Sequence, residues 1–430
     1  MSNPLCKTFS ATFLALVVSA GAAPWTFEDA VKKSYDAKAY DWNALNTRWI
    51  NMRAVGLLGL DAALFGQNGK SIRQVGDMGR YERWDVRGLR LGAAGTINFD
   101  HPWIYLFSIS VNSVMQDYDS DTQDAISVLD ASVSLPLSKY HGRLRIGKMK
   151  EPDGMSRMMG LVFEQVMERP MHVDAFTPTR ADGILYSDLL AEGEMTLRLG
   201  VFNDWLEKGQ KGFAHSDTRY VARISGVAYE SPLKEELWHL GAAYRYNDAA
   251  SGSVRYKVGP EFSFCDPWLD TGDIPAHSAT LLNLESSWLA GPWWLDAEYS
   301  VQEVNARTAR YRFEGWHASI NWFVTGEHRG YNRLRGAVRR VRPLQPVTEG
   351  GWGALELSAR YSYLDLRDNG IEGGKMGITS LGAIWHPTRQ TQFHLQYSRV
   401  RLQGPVPAAG IDDGTSRTDI FQFRFVLLID

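Results

Sequence analysis

The sequence predicts an all-β protein, and it favours a transmembrane antiparallel β-barrel over a soluble β-sheet fold. Three observations lead to this prediction: segments in which apolar and polar residues alternate, a composition rich in aromatic residues and glycine, and an N-terminal segment of the export type. Of the 430 residues, 44% are hydrophobic, 12% are aromatic and 40 are glycine. Such a chain is too apolar to be disordered, and its composition is typical of strands joined by many turns.

The charge balance removes one class of partner. The chain carries 46 Lys and Arg against 49 Asp and Glu, which gives a formal net charge of −3. Proteins that bind nucleic acid usually show a basic excess, because the phosphate backbone is polyanionic. We therefore expect no nucleic-acid partner.

The first residues have the features of a cleavable export signal. Lys7 is the one charged side chain before the apolar residues 9–18, and Ala20-Gly21-Ala22 supplies small residues at the spacing that a signal peptidase needs. The alternative is a membrane anchor, but the stretch is shorter than the ~20 apolar residues that span a bilayer. We predict a signal peptide at residues 1–22 and a barrel domain at 23–430, with residues 23–45 as a candidate periplasmic segment.

Alternation of apolar and polar residues is the main secondary-structure signal. Between Trp316 and Trp322 every second residue is apolar, while His317, Ser319 and Asn321 occupy the positions between them. Because successive side chains of a strand point to opposite faces, such a segment has one apolar and one polar face. The same period recurs at residues 295–302, 355–363 and 421–429. After the N-terminal segment no apolar run reaches ~18 residues, which excludes a helical membrane protein.

Two folds share this alternation, a soluble sandwich and a transmembrane barrel, and periodicity does not separate them. The export signal, the Trp and Tyr residues at strand ends and the uneven loop lengths favour the barrel. Lipid also requires a closed sheet, because an open edge would leave backbone N–H and C=O groups without partners at several kcal/mol each.

Several segments resemble, in order, the signatures of the phosphate-selective porin O/P family. Residues 143–152 read RLRIGKMKEP, residues 166–170 read VMERP and residues 174–180 read DAFTPTR. Further along the chain, residues 324–331 read VTGEHRGY, residues 350–357 read GGWGALEL and residues 360–366 read RYSYLDL. The resemblance covers most of the chain that follows the predicted signal.

This resemblance implies a barrel of 16 strands in the outer membrane of a Gram-negative bacterium, with an inward-folded constricting loop. It implies passive diffusion of small anions, with phosphate and polyphosphate as candidate cargoes and no cofactor or metal. The implied partners are outer-membrane lipid, the barrel assembly machinery and two further copies of the chain in a homotrimer. The alternative is a substrate-specific outer-membrane barrel, such as a polysaccharide exporter or a receptor.

Arginine and lysine residues on polar faces are the candidate anion-pathway residues, because a guanidinium group gives two parallel hydrogen bonds to an oxyanion. The alternative for any one of them is that it pairs with a carboxylate such as Asp296, Glu298 or Glu356. The resemblance points to residues 150–180 as the constricting loop. The candidates are Arg87, Arg90, Lys150, Arg157, Arg169, Arg180, Arg198, Arg245 and Arg360, and Arg223 and Arg424 share the polar faces.

Two departures from the family pattern weaken the expectation of phosphate specificity. Gly88 stands where a second arginine beside Arg87 is expected, and Met158-Met159-Gly160-Leu161 replaces a stretch rich in Thr and Ser. Fewer hydroxyl donors should weaken recognition of a strongly hydrated dianion.

Catalysis receives little support from the sequence. Ser319 and His317 lie two residues apart on one polar face, and so do residues in many strands. No Gly-x-Ser-x-Gly elbow, phosphate loop or His-Glu-x-x-His motif is present in the sequence. We therefore expect no enzyme, and a lipid-modifying barrel that uses Ser319 and His317 is the weakest alternative.

Overall fold

The computed structural model describes residues 43–111, 126–137, 142–204, 216–404 and 415–429. The predicted signal peptide, and the predicted periplasmic segment up to residue 42, lie outside these ranges. In the described ranges, no helix has both the length and the apolar character that a membrane span requires.

The described strands form a closed antiparallel barrel of 16 strands, which confirms the predicted fold class. Each strand pairs with the next along the chain, and the last strand pairs with the first, so that Gly56 lies opposite Ile429. The strands are β1 (Ile50–Gln67), β2 (Trp84–Ile97), β3 (Trp103–Val111), β4 (Ile126–Pro136), β5 (Arg143–Met149), β6 (Ala181–Leu190), β7 (Met195–Asn203), β8 (Thr218–Ser231), β9 (Glu236–Asp248), β10 (Ile274–Ala290), β11 (Trp293–Ala306), β12 (Arg310–Phe323), β13 (Ala354–Asp368), β14 (Ile371–His386), β15 (Thr391–Gln403) and β16 (Ser416–Ile429).

Short elements lie in the connections. The described connections contain three short helices, α1 (Gly69–Val75), α2 (Met155–Met158) and α3 (Met171–Phe176). The short strands outside the barrel wall are Ala44–Asn46, Ser253–Val254, Lys257–Val258, Leu269–Asp270, Tyr331–Asn332 and Ala337–Val338. Single 3-10 turns occur at Met78–Tyr81, Leu161–Phe163, Ala191–Gly193, Pro232–Lys234 and Val347–Glu349.

The alternation of the sequence separates the two faces of the wall. On β12 the apolar residues Ile320 and Trp322 are exposed on the outer face, whereas His317 and Asn321 are buried on the inner face. Most of the exposed tryptophans lie toward one end of the barrel, where Trp293 stacks on Trp322 with ring centroids 5.6 Å apart. An apolar outer surface that ends in aromatic side chains is typical of a wall that faces lipid.

The lengths of the connections distinguish the two ends of the barrel. At the end that holds Ile429 the turns are short, for example residues 98–102, 191–194 and 291–292. At the other end most connections are longer. Because outer-membrane barrels have short periplasmic turns and longer extracellular loops, the end near Ile429 is the periplasmic end.

Two connections fold into the barrel. The first, residues 150–180 between β5 and β6, enters from the extracellular end; we call it the inner loop, and its position confirms the predicted constricting loop. The second, residues 324–353 between β12 and β13, is long for a periplasmic turn, and its first part enters the lumen; we call it the turn insert. The two meet in an apolar cluster that contains Met155 and Met159 of the inner loop and Ala337 and Val338 of the turn insert.

Candidate functional site

The inner surface of the barrel is covered unevenly. Inward-facing side chains are buried beneath the inserted segments on β11 to β13, from Trp294 through Phe323 to Leu366, and along β15 and β16. Examples are Asp296, His317 and Arg360. On β1 to β5, several inward-facing side chains keep partial exposure. The members of that group are Arg53, Val55, Leu57, Arg90, Ala94, Leu106, Ser108 and Arg145. Among the described residues, the least covered side of the lumen therefore lies along β1 to β5, and we call this side the passage.

Buried ion pairs hold the inner loop against the opposite wall. The carboxylate of Glu168 accepts hydrogen bonds from Nε and Nη2 of Arg87 at 2.8 and 2.9 Å and also binds Arg424. Arg424 in turn donates to both carboxylate oxygens of Asp61, at 2.7 and 2.6 Å. Breaking a buried pair by removing one partner typically costs about 3–5 kcal/mol, so these contacts fix the position of the loop.

The turn insert is held in the same way. Arg329 donates to both oxygens of Glu356 at 2.8 Å, and Arg223 binds Glu285 at 2.6 Å and also donates to the carbonyl of Arg335. The side chains of Arg329, Glu356, Arg223 and Glu285 are nearly or fully buried. Arg329 and Arg223 are thus each paired with a buried carboxylate.

Several cationic side chains face inward along β1 to β5. The cross-strand pairs Leu57 with Arg90, and Arg53 with Ala94, place Arg53 and Arg90 on the same inner face. Arg145 donates from Nε to the hydroxyl of Ser132 at 2.9 Å on that face. Residues Arg53, Arg90, Arg143, Arg145, Lys150 and Arg180 line this side, and we call this surface the cationic wall.

One carboxylate lies among these cations and limits their charge. Asp130 receives two hydrogen bonds from Arg180, both at 2.9 Å, and one from Ser108 at 3.1 Å. Arg180 is therefore neutralised locally, whereas no ion pair of Arg90 or Lys150 is found among the described residues.

Five of the predicted pathway residues are buried in ion pairs, among them Arg169 at 3.9 Å from Glu164. Arg87 binds Glu168, Arg157 binds Asp174 at 3.0 Å, Arg245 lies 3.3 Å from Asp153, and Arg360 binds Glu261. These contacts agree with the alternative interpretation from the sequence, in which a luminal arginine pairs with a carboxylate, although the partners differ from those named there.

The other predicted residues fall into two places. Arg90, Lys150 and Arg180 are partly exposed on the cationic wall. Arg198 donates to the carbonyl of Leu334 in the turn insert and to Sδ of Met158.

A β-bulge explains how Arg87 and Arg90 can both face inward. Gly59 pairs with Gly88 while Leu60 pairs with Val86, so Arg87 is the additional residue on β2. Such a bulge turns the side chain of the extra residue away from the regular alternation. Arg87 reaches Glu168 for this reason.

Sequence reasoning missed Arg53, Arg143, Arg145 and the role of the turn insert. The alternation of Arg143-Leu144-Arg145-Ile146 was available as a signal, because it places both arginines on the face opposite two apolar residues. No local signal marks the turn insert as luminal, since its contacts are with residues far away in the sequence.

Two titratable side chains of the inner loop are affected by their surroundings. Burial, together with the guanidinium groups of Arg169, Arg180 and Arg157, lowers the pKa of Lys150, whose ammonium group donates to the carbonyl of Met159. Burial raises the pKa of Glu164 to about 8, because its carboxylate oxygens have no hydrogen-bond partner among the described residues, and Arg169 at 3.9 Å only partly opposes this shift.

His317, the base in the weakest catalytic alternative, belongs to a chain of hydrogen bonds. Nε2 of His172 lies 3.0 Å from Nδ1 of His317, and Nε2 of His317 lies 2.9 Å from the carboxylate of Asp296. The hydroxyl of Ser319 donates to the backbone carbonyl of Asp296 at 3.4 Å instead of binding His317. Among the described residues, no group of three or more His, Cys, Asp or Glu side chains is placed to hold a metal ion.

A family model described as phosphate-selective porin O and P matches residues 65–428. The chain belongs to this family. Within the phosphate-selective porin O and P family, Porin O of Pseudomonas aeruginosa is 25% identical over 243 residues, which cover 53% of this chain and 52% of that protein. An uncharacterized protein of Caulobacter vibrioides is 28% identical over 332 residues, which cover 75% of this chain and 64% of that protein. The chain thus spans less than two thirds of the length of either curated relative.

Solved structures of outer-membrane proteins show the same fold. OmpT of Vibrio cholerae in its trimer form is 10% identical, with a TM-score of 0.52 over 88% of this chain and 99% of that chain. The outer membrane channel DcaP of Acinetobacter baumannii is 9% identical, with a TM-score of 0.53 over 89% of this chain and 99% of that chain. Family and fold together identify this porin O and P family member as an outer-membrane β-barrel.

Proposed function

We propose that the protein is a passive outer-membrane channel for small anions. The observation that carries the proposal is the uneven inner surface. Where the lumen is covered, arginines pair with buried carboxylates, whereas the partly exposed face of β1 to β5 holds Arg90 and Lys150, for which no ion pair is found among the described residues. Mobile anions concentrate beside such a surface, because a water-filled groove between low-dielectric walls focuses the field of its charges.

Several weak sites in a row suit passage better than one strong site. An ion that enters a narrow lumen loses part of its hydration shell, and successive donors must replace it without trapping the ion. The guanidinium groups of the cationic wall, with the hydroxyls of Ser108 and Ser132 between them, supply such a series. Phosphate is one candidate cargo because of the family to which the chain belongs.

The test is the ion selectivity of the purified protein in planar lipid bilayers. In a KCl gradient we expect a reversal potential closer to the equilibrium potential of chloride than to that of potassium. In the Arg90→Glu variant this displacement toward chloride should be smaller. Arg307→Glu is the matched control, because Arg307 is exposed in the short connection between β11 and β12. A preference for potassium in the unmodified protein would contradict the proposal.

We also propose a homotrimer. β3 to β7 have 7–11 residues each, whereas most other strands of the wall have 13 or more. A low wall with an apolar outer face is suited to contact between copies within the membrane. OmpT, which shares the fold, is described in a trimer form. Native mass spectrometry in mild detergent should give three times the mass of the chain, and a monomer would contradict this assembly.

Channel function is favoured over the two alternatives from the sequence. Both ring nitrogens of His317 are engaged with His172 and Asp296, which leaves Ser319 without this base. A lipid-modifying enzyme would require phospholipid turnover that Ser319→Ala abolishes. A polysaccharide exporter or receptor would instead show saturable ligand binding and little open conductance.

A further inference from the structure

Apolar side chains lie among the cations of the cationic wall, which is unusual for the interior of a transmembrane barrel. Inner faces of transmembrane barrels are normally polar because water fills the lumen. Here Val55, Leu57 and Leu106 point inward and remain partly exposed. They lie on strands whose outer faces are also apolar, so both faces of this part of the wall carry aliphatic side chains.

The cross-strand register places each of these apolar residues beside polar or cationic ones. Leu57 is directly opposite Arg90, and Val55 is opposite Gly92, which pairs with Ser108. Leu106 pairs with Ala94 on one side and with Ser132 on the other, and Ala94 pairs with Arg53. Aliphatic and cationic groups therefore alternate across neighbouring strands of one surface.

Gly88 brings the two kinds of group into direct proximity. A Cβ atom at Gly88 would lie 3.3 Å from Cδ2 of Leu57 and 3.6 Å from Nε of Arg90. The missing side chain thus leaves a shallow depression that an aliphatic group and a guanidinium group border together. A larger residue at this position would separate them.

The inner loop also carries apolar side chains, and one of them lies next to a guanidinium group. Its partly exposed residues include Met158, Val162 and Phe163, whereas its buried neighbours Met159 and Leu161 pack inward. Sδ of Met158 lies 3.4 Å from Nη1 of Arg198, so an apolar chain again lies next to a guanidinium group. Sites that combine apolar walls with a few placed polar groups bind organic molecules rather than bare ions.

We infer that the passage recognises organic anions with an apolar body, such as medium-chain monocarboxylates, in preference to inorganic phosphate. The carboxylate contacts the guanidinium group of Arg90, whose Nε has no hydrogen-bond partner among the described residues, while the hydrocarbon part lies against Leu57, Val55 and Leu106. This inference rests on the proposed anion-channel function and specifies the substrate class of the same passage.

The experiment compares acetate, butanoate and hexanoate as blockers of chloride current in planar bilayers. The three ions carry the same charge and differ in apolar length. A fully buried methylene contributes ~0.8 kcal/mol to binding. We expect about half of this contribution here, which corresponds to a rise in blocking affinity of about twofold per added methylene. Inorganic phosphate should block less tightly than hexanoate.

Variants locate the effect. Leu57→Asn and Leu106→Asn should flatten the dependence on chain length while the preference for chloride over potassium remains. Leu57→Met, which keeps an apolar side chain of similar volume, should retain the dependence and so reports on folding. Leu344→Asn is the matched control, because Leu344 is exposed outside the passage.

The outcomes separate the two proposals. If chloride is preferred but affinity does not rise with chain length, or if the rise survives in both Asn variants, the inference is wrong and the anion channel stands. If phosphate blocks more tightly than hexanoate, the substrate class is also wrong. If potassium is preferred over chloride, the proposed function itself fails.

Discussion

Lys150 and Arg157 lie in the same inner loop but in different electrostatic surroundings. Lys150 is partly exposed on the passage and has Arg169 and Arg180 as charged neighbours. Arg157 is buried, donates to the hydroxyl of Thr177 at 2.8 Å and pairs with Asp174 at 3.0 Å. A charge on the passage acts on ions, whereas a charge inside a pair acts on the stability of the loop.

Replacing these two residues should therefore have different effects. Lys150→Gln should lower the preference for chloride in a KCl gradient and leave the barrel stable. Arg157→Gln should leave selectivity nearly unchanged and lower the free energy of unfolding by about 3–5 kcal/mol, because Asp174 loses its partner. Reversal potentials and urea unfolding followed by tryptophan fluorescence measure the two quantities. Equal changes in selectivity would contradict the assignment.

From the raised pKa of Glu164 we expect the ion selectivity to depend on pH. Burial raises its pKa to about 8; Asp296 and Glu298 act in the same direction, and Arg169 and Arg360 oppose them. Below that pH the carboxyl group is neutral, and above it the inner loop gains a negative charge. The preference for chloride should therefore fall as the pH rises from about 7 to about 9, because this range lies on both sides of the pKa of Glu164.

The control for this prediction is Glu164→Gln, which cannot ionise. Its chloride preference should fall less over the same pH range, and the remaining change reports on other groups, among them Lys150 with its lowered pKa. Identical pH profiles of the variant and the unmodified protein would exclude Glu164 as the titrating group.

At the scale of elements, the turn insert fills a part of the lumen that a short hairpin would leave open. It carries Arg329 to Glu356 and approaches Arg198 and Arg223 through backbone carbonyls of residues 334–336. It also meets the inner loop in the apolar cluster around Met155 and Val338. The insert therefore both narrows the lumen and neutralises luminal charge.

Replacing the turn insert by a short turn between Phe323 and Ala354 should raise the single-channel conductance and lower the preference for chloride. Conductance rises because the lumen widens, and selectivity falls because Glu356 loses Arg329. Shortening the exposed residues 347–350 alone is the control and should change neither quantity. A truncated protein with unchanged conductance would show that the insert does not limit the passage.

At the scale of the whole molecule, the apolar outer surface determines where the barrel resides. Leu381 is 53% exposed on the outer face of β14, and Leu344 is 64% exposed on the turn insert at the periplasmic end. Similar exposure thus has two causes, contact with acyl chains in one case and with water in the other.

An arginine at each position should distinguish the two surroundings. Leu381→Arg should lower the free energy of unfolding in lipid vesicles by about 2–4 kcal/mol, the cost of arginine on a lipid-facing wall near the midplane. Leu344→Arg should cost less than about 0.5 kcal/mol, as at most exposed positions. Equal costs would mean that Leu381 does not face lipid.

The sequence by itself determined which residues share a face within a regular strand. His317, Arg360 and Arg424 were assigned to the polar face, and the structure has them on the inner face of the barrel. This assignment was possible because the two-residue period of a strand is a local property. The family resemblance added the strand number and the inner loop.

Only the tertiary structure decided which inward-facing cations pair and which line the passage. Arg424 meets Glu168, Arg329 meets Glu356 and Arg360 meets Glu261. Those contacts depend on strand register and on the course of the inserted segments, which bring together residues far apart in the chain. Periodicity carries no information on such long-range contacts. The passage along β1 to β5 can therefore be located only in the folded barrel, where the inserted segments cover the rest of the lumen.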